Sequence, residues 1–366
     1  MKISNQYFYL PADFIKLPKY DAHMHYHTFS DLFVRKAKKN NIQLITINTS
    51  LDSPLLNTQF EIAQFHHLHH PKTFDFIGTF DAAQFSLKTF AEDTIKQIKK
   101  CMAAGSRGVK IWKNIGMALK KEDGQYIMID DPVFAPIFEF LEKEKIPLLT
   151  HLGEPRNCWL PLEQMTISSA RKYFSKNPNY HAYLHPEIPS YEQQIMARDN
   201  ILERYPGLIF IGAHLGSMEW NLEEVAKRLD RFSNFYVDLS GRFNYIFEQT
   251  IHNRTLVTDF FEKYHNRILY GSDCFFSKYD GWKGMNFFCK YFPHVYMNLL
   301  YKKQYFRLIK SQWLFLATDK VIKTGKISNK PDFPKYVKGL KLSKNIVDRI
   351  FYENARCVYF NPIIKS

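Results

Sequence analysis

Asp21-Ala22-His23-Met24-His25 closes a short apolar run, and three later runs close the same way, on His151 in IPLLTHLGEP, His214 in LIFIGAHLGS and Asp273 in RILYGSDCF. Neutral imidazole nitrogen and carboxylate oxygen are donors that zinc and similar divalent ions take, and a catalytic site leaves one position open for water. His23 and His25 stand two apart, so on a strand they point the same way and reach one ion together. A single H-x-H is weak evidence, because histidine also caps strands and hydrogen-bonds in cores. Four separate apolar runs, each ending in a ligand type, are a stronger signal.

Residues so far apart in sequence meet only if their strands converge. The strands of a closed (β/α)₈ barrel do so, bringing their C-terminal ends to one face. Strands and helices alternate as this requires: strands are expected at 19–25, 42–48, 74–80, 107–112, 146–151, 208–214, 235–239 and 267–273. Between them, a helix is expected from Ser30 as N-cap toward Asn40-Asn41, one after Asp131 with Pro132 in its first turn, and one over 191–204. The stretch 152–190 reads as a long loop on the catalytic face, where long loops shape substrate pockets. The stretch 275–344, rich in Phe, Tyr, Trp and Lys, reads as a mainly helical insertion or lid, or a subunit contact in a homo-oligomer. The fold class expected is α/β, a TIM barrel, with the whole of 1–366 as one domain.

Several features are set aside. His66, His67, His69 and His70 resemble a metal cluster, but they fall at a helix end on the far side of a barrel, where solvent and the helix dipole account for them. The five cysteines are scattered, without C-x-x-C spacing, which suits a reducing compartment, and Cys274 is expected to pack in the core. A formal charge of +14 invites a nucleic-acid reading, yet the lysines are spread along helices such as 35–39 and 96–100, with no basic stripe interleaved with aromatics. No nucleic-acid partner is expected. The opening MKISNQYFYLPADF has no signal-peptide character and no apolar run approaches membrane-spanning length, so a cytoplasmic location is expected.

Asp21-Ala22-His23-Met24-His25, Gly108-Val109-Lys110-Ile111, Thr150-His151-Leu152-Gly153, Gly212-Ala213-His214-Leu215-Gly216, Tyr270-Gly271-Ser272-Asp273 and the closing Asn354-Ala355-Arg356 together resemble the amidohydrolase superfamily, in its amidohydrolase-related branch. The resemblance implies a barrel in which His23, His25, His151 and Asp273 bind one divalent ion, most simply zinc. His214 would stand beside it for proton transfer or carbonyl polarisation, and Asp273 would take a proton from the attacking water. It also makes Lys110 ambiguous: carboxylated, it bridges two ions and recruits His214; uncarboxylated, it contacts a substrate carboxylate or is structural. Trp112, Lys113, Glu154, Arg156 and Arg242 are substrate-contact candidates by loop position alone.

The function this implies is hydrolysis of a small, anionic lactone, ester or amide. A nonoxidative decarboxylase of unsaturated or aromatic acids would use the same ligands. A metal-dependent deoxyribonuclease of similar build is disfavoured, because Gly108-Val109-Lys110 stands where a Gly-Glu-Ile-Gly motif is expected, and a non-catalytic binding barrel has no reason to keep every ligand. No G-x-S-x-G elbow supports serine chemistry.

Overall fold

The computed structural model of the chain describes residues 7–49, 55–277 and 293–360. Its main sheet contains β1 (Lys19–His27), β2 (Ile42–Ile47), β3 (Phe74–Thr79), β4 (Val109–Ile111), β5 (Leu148–Thr150), β6 (Phe210–Gly212), β7 (Phe235–Asp238), β8 (Ile268–Leu269) and β9 (Phe275–Ser277). Neighbours are parallel throughout, in the order β8-β7-β6-β5-β4-β3-β2-β1-β9. With helices between the strands, this is the (β/α)₈ barrel plus a ninth strand. The ring closes through Ala22 N donating to Tyr270 O at 3.0 Å, Asp273 N to His23 O at 2.8 Å and His25 N to Cys274 O at 2.9 Å. β8 and β9 therefore divide the work of the one strand expected over 267–273. The break falls where Asp273 takes a φ of 58°, a left-handed conformation that cannot continue a strand.

The strand sequences are near-continuously apolar because both faces are buried. Val109, Leu148, Phe210 and Val237 face the helix layer, whereas Ile45, Ile47, Ile77, Leu149, Ile211 and Leu269 fill the barrel. Each such side chain contributes roughly 1.5–3 kcal/mol by leaving water. Ala355, Val358 and Tyr359 of the closing helix plug the end where Tyr20 stacks on Tyr352 at 5.3 Å, leaving the opposite mouth for polar groups.

One irregularity decides what β1 presents. Asp21 pairs with Leu44 and Met24 with Thr46, three residues against two, which is a β-bulge. Tyr20 and Ala22 face the barrel interior below it, Met24 and Tyr26 face the helix layer above it. The bulge thus turns His23 inward and Asp21 outward. Asp21 accepts from Ser272 N at 2.8 Å and from Tyr305 OH at 2.9 Å, and burial pushes its pKa up to about 6 against those donors.

Among the helices, Tyr191–Arg204 falls where the sequence places it, with Ser190 and Gln193 closing a capping box. Asp131 accepts from Val133 N, capping the turn that Pro132 opens. Ser30 is not an N-cap: the helix Leu32–Lys39 begins after Asp31 without a side-chain cap, and the Ser30 carbonyl accepts instead from Tyr26 OH. The stretch 152–190 is more ordered than a loop. It folds as short helices, including Ser168–Lys176, around a small core of Cys158, Met165, Phe174 and Ala182.

The segment after β8 is mainly helical, as expected: the 25-residue helix Pro293–Ala317 dominates it, beside the short β9 and an antiparallel pair of β10 (Val321–Lys323) with β11 (Tyr336–Lys338). The helix docks on the barrel flank, where Gln312 accepts from Tyr270 OH at 2.6 Å and Trp313 packs at 5.6 Å from both Tyr9 and Phe14. Of the insertion or lid expected over 275–344, residues 278–292 lie outside the described residues. Among the described residues no helix is long and apolar enough to cross a membrane, and Cys101, Cys158, Cys274 and Cys357 are free. Cys274 packs against the main core, as expected.

Candidate metal centre

His23 and His25 project from β1 past the bulge, while His151, His214 and Asp273 sit one to four residues beyond the ends of β5, β6 and β8. His23, His214 and Asp273 each bring a ligand atom within 4.8 Å of the others, the one such group among the described residues. Asp273 Oδ1 lies 3.6 Å from His23 Nε2 and 3.5 Å from His25 Nε2. The His151 ring centroid is 4.3 Å from that of His214. All five expected residues therefore meet at one mouth, with His25 joining through Asp273 and His151 through His214. His214, expected beside the ion, belongs to the tightest group.

Asp238, at the end of β7, organises this cluster and escaped the sequence reading. Its carboxylate accepts from His23 Nδ1 at 2.7 Å, His214 N at 2.8 Å, Ser240 N at 3.1 Å and Ser240 Oγ at 2.5 Å. Burial alone would raise its pKa, but His23 first, then His214 and the Ser240 hydroxyl, hold it well below the usual carboxylate range. His23 must then carry its proton on Nδ1, leaving the Nε2 lone pair facing Asp273. His214 is fixed likewise, donating from Nδ1 to Ser240 O at 2.8 Å.

The backbone at His214 is unusual. His214, Leu215, Gly216 and Ser217 all have φ between 57° and 63°, one turn of left-handed chain. The three non-glycine residues cost roughly 1–2 kcal/mol each relative to ordinary backbone, so the surroundings must hold the turn. Gly241, at φ 65°, serves closeness instead: a Cβ there would lie 2.9 Å from Asp273 Oδ2.

Burial lowers the pKa of His23, His151 and His214, which favours the neutral ring in each. For Asp273 burial is outweighed by His214, His25 and His23, which hold its pKa well below the usual range. Neutral imidazoles around an ionised carboxylate are the donor set a divalent cation takes. One orphaned atom reinforces the fit: His151 Nε2 is buried without a hydrogen-bond partner. A cluster suited to one divalent metal ion is therefore present.

Cations surround it. Lys110, 1% exposed on β4, has no partner for Nζ, and burial pushes its pKa down to about 8 against the pull of Asp238 and Asp273. Arg242 follows β7; its charge depresses the pKa of both His151 and His214, and its Nε lies 3.7 Å from Glu219 Oε2. Glu219, fully buried, was not singled out in the sequence. Lys113 ion-pairs with Glu154, whose other oxygen is 4.0 Å from His151 Nε2, and sits 5.5 Å over the Trp112 ring. Arg156 is engaged elsewhere, 4.2 Å over Trp220. The histidines of the 66–70 run take no part in the cluster, but they do not simply face solvent: His66 is buried and donates to Thr28 O at 2.7 Å, and His67 pairs with Asp75.

The amidohydrolase family model matches residues 76–360. The chain belongs to the amidohydrolase family. The matched span begins inside β3, so His23 and His25 enter the site on geometry rather than on that match. No curated protein matches the sequence. Among solved structures, a 2,6-dihydroxybenzoate decarboxylase bound to 2,6-dihydroxybenzoate is 14% identical, with TM-score 0.50 and coverage of 93% of this chain and 99% of that one. An amidohydrolase from Burkholderia multivorans with bound HEPES is 12% identical, with TM-score 0.50, covering 94% and 99%. At such identities the likeness concerns the fold. The family and the cluster together support a catalytic, metal-using barrel.

Proposed function

We propose that this amidohydrolase is a metal-dependent hydrolase of a small, anionic carbonyl compound: a lactone, ester or amide. The observation that carries the reading is the convergence of His23, His214 and Asp273, with His25 and His151 at their edges, on the mouth of the barrel. In this reading His23, His25, His151 and Asp273 hold one divalent ion, with zinc the metal best matched to the donors; a second ion requires Lys110 to be carboxylated and His214 to join the ligands. The ion, when bound, supplies Lewis acidity, polarising the carbonyl and lowering the pKa of water.

The chain's own groups supply the rest. Asp273, ionised and 31% exposed at the mouth, accepts the proton of the attacking water and returns it to the leaving oxygen or nitrogen. His214, neutral and with its Nδ1 committed to Ser240, presents Nε2 as an acceptor that orients that water or serves as the alternative proton carrier. Arg242, held charged by Glu219, binds the substrate's anionic group, with Lys113, Trp112, Glu154 and Arg156 as further candidate contacts.

Decarboxylation of an unsaturated or aromatic acid is the second reading, favoured by one observation: the buried, unpartnered Lys110 ammonium suits a substrate carboxylate held beside the ligands. Metal analysis of the purified protein followed by a substrate panel separates the two. Hydrolysis of lactones or esters releases acid, whereas decarboxylation releases carbon dioxide. A protein that holds no metal even after reconstitution would remove the basis of both.

A further inference from the structure

The left-handed turn that carries His214 is gripped from outside the barrel. The helix Tyr191–Arg204 places Tyr191, Gln194 and Arg198 at i, i+3 and i+7, one face of the helix, and each ends on a backbone carbonyl of a mouth loop. Tyr191 OH donates to Ser217 O at 2.7 Å, Gln194 Nε2 to Gly116 O at 2.7 Å and Arg198 Nη1 to Gly216 O at 2.6 Å. Arg198 is only 2% exposed. A guanidinium so buried needs partners for its donors: Nε and Nη2 go to Asp199 Oδ1 at 3.0 and 2.5 Å, Nη2 also to Met218 Sδ at 3.5 Å, and Nη1 to the turn. The fit is close, since a Cβ on Gly216 would stand 3.0 Å from Arg198 Nη1 and 2.9 Å from Phe235 Cζ.

We propose that Arg198 is a positioning residue for His214, holding the left-handed turn shut through the Gly216 carbonyl so that the imidazole keeps its Nδ1 on Ser240 and its free Nε2 in the cluster. A side chain that touches neither ion nor substrate thereby sets the orientation of one that does. His214, Leu215 and Ser217 would each relax toward ordinary backbone; Asp238 opposes this at the His214 amide and Arg198 opposes it at the Gly216 carbonyl. The inference goes beyond the hydrolase reading and holds equally for a decarboxylase.

The test compares Arg198→Met, Arg198→Lys and, as a control of equal burial in the same helix, Leu202→Ala, all as zinc-reconstituted full-length protein at one pH. Long-range proton–nitrogen spectra of the imidazoles and exchange of their Nδ1 protons with solvent are read beside the melting temperature. Arg198→Met is expected to displace the His214 signals and to speed exchange of its Nδ1 proton by about tenfold or more, the order of change that loss of one hydrogen bond brings. The His23 signals, anchored on Asp238, stay in place. Arg198→Lys is expected to recover part of the effect, and Leu202→Ala to lower the melting temperature without moving His214. An unmoved His214 in Arg198→Met, or an equal displacement in Leu202→Ala, overturns the proposal. If Arg198→Met does not fold, Arg198→Lys decides on the same readouts, with an intermediate displacement of His214 expected and none overturning the idea. Turnover is not used, so failure here and failure of the hydrolase reading remain distinct.

Discussion

The two sides of the barrel mouth are built on opposite plans. Around β6 and β7, and across to His23, three side chains are braced: His23 on Asp238, His214 on Ser240, and Asp238 on four donors, whereas His25 and His27, farther along β1, keep unpartnered ring nitrogens. Toward β4 and β5, and over to the loop carrying Glu219, polar atoms are buried without hydrogen-bond partners within the protein: Lys110 Nζ, His151 Nε2, both oxygens of Glu219, and Arg242 Nε beside them. Each such atom costs about 1–3 kcal/mol in a folded chain, so five of them lining this part of the mouth are informative. Bracing fixes where donor lone pairs point before any ion arrives, and it costs adaptability. The unbraced side keeps groups that can change partner, which is what substrate binding and release demand.

The comparison breaks most sharply at its shared member. Asp273→Asn or His23→Ala is expected to reduce activity to background while circular dichroism shows a folded barrel; full activity in either would sink the site. Asp238→Ala comes next, because it frees the Nδ1 of His23 and the backbone of His214 together. Metal affinity measured by chelator competition is expected to fall about 10–100-fold, the usual cost of losing a partner behind a ligand, and an unchanged affinity would mean the bracing does not matter to the ion. On the unbraced side, Lys110→Met is expected to leave the metal count unchanged and weaken binding of an anionic substrate. Loss of half the bound metal would instead make Lys110 a bridge and move it to the braced side.

How far the sequence shows this division depends on the kind of signal. Apolar runs that close on ligand types, and the helix 191–204, are local patterns: the helix has those bounds, and His23, His214 and Asp273 come together in one group. Asp238 closes an apolar run just as Asp273 does, in FYVD, so a signal existed, yet without a neighbouring histidine it reads as an ordinary strand end. The bulge in β1 is invisible because Asp21, His23 and His25 alternate perfectly; strict alternation would put Asp21 inside with the histidines. Only closure of the ring, which sets Tyr20 and Ala22 inward and gives Asp21 the Tyr305 hydroxyl, turns it out. The left-handed turn at 214–217 and the division of the last strand at Asp273 are likewise set by contacts distant in sequence, through Arg198, Asp238 and β1.

The smallest expected effect isolates the unbraced side from the ion. Burial pushes the Glu219 pKa up to about 7 from the ordinary glutamate value of 4.5, with Arg242 pulling it back. Between those values the folded chain holds the proton more tightly than the unfolded chain, so stability falls as pH rises from about 4.5 to about 7 and levels above. Glu219→Gln cannot ionise and lacks this slope. Its melting temperature should match the parent's near pH 4.5, exceed it by a growing margin up to pH 7, and keep that margin beyond. Should the parent instead gain on the variant as pH rises, attraction between Glu219 and Arg242 outweighs burial, and that corner of the mouth is a braced ion pair like those on β7.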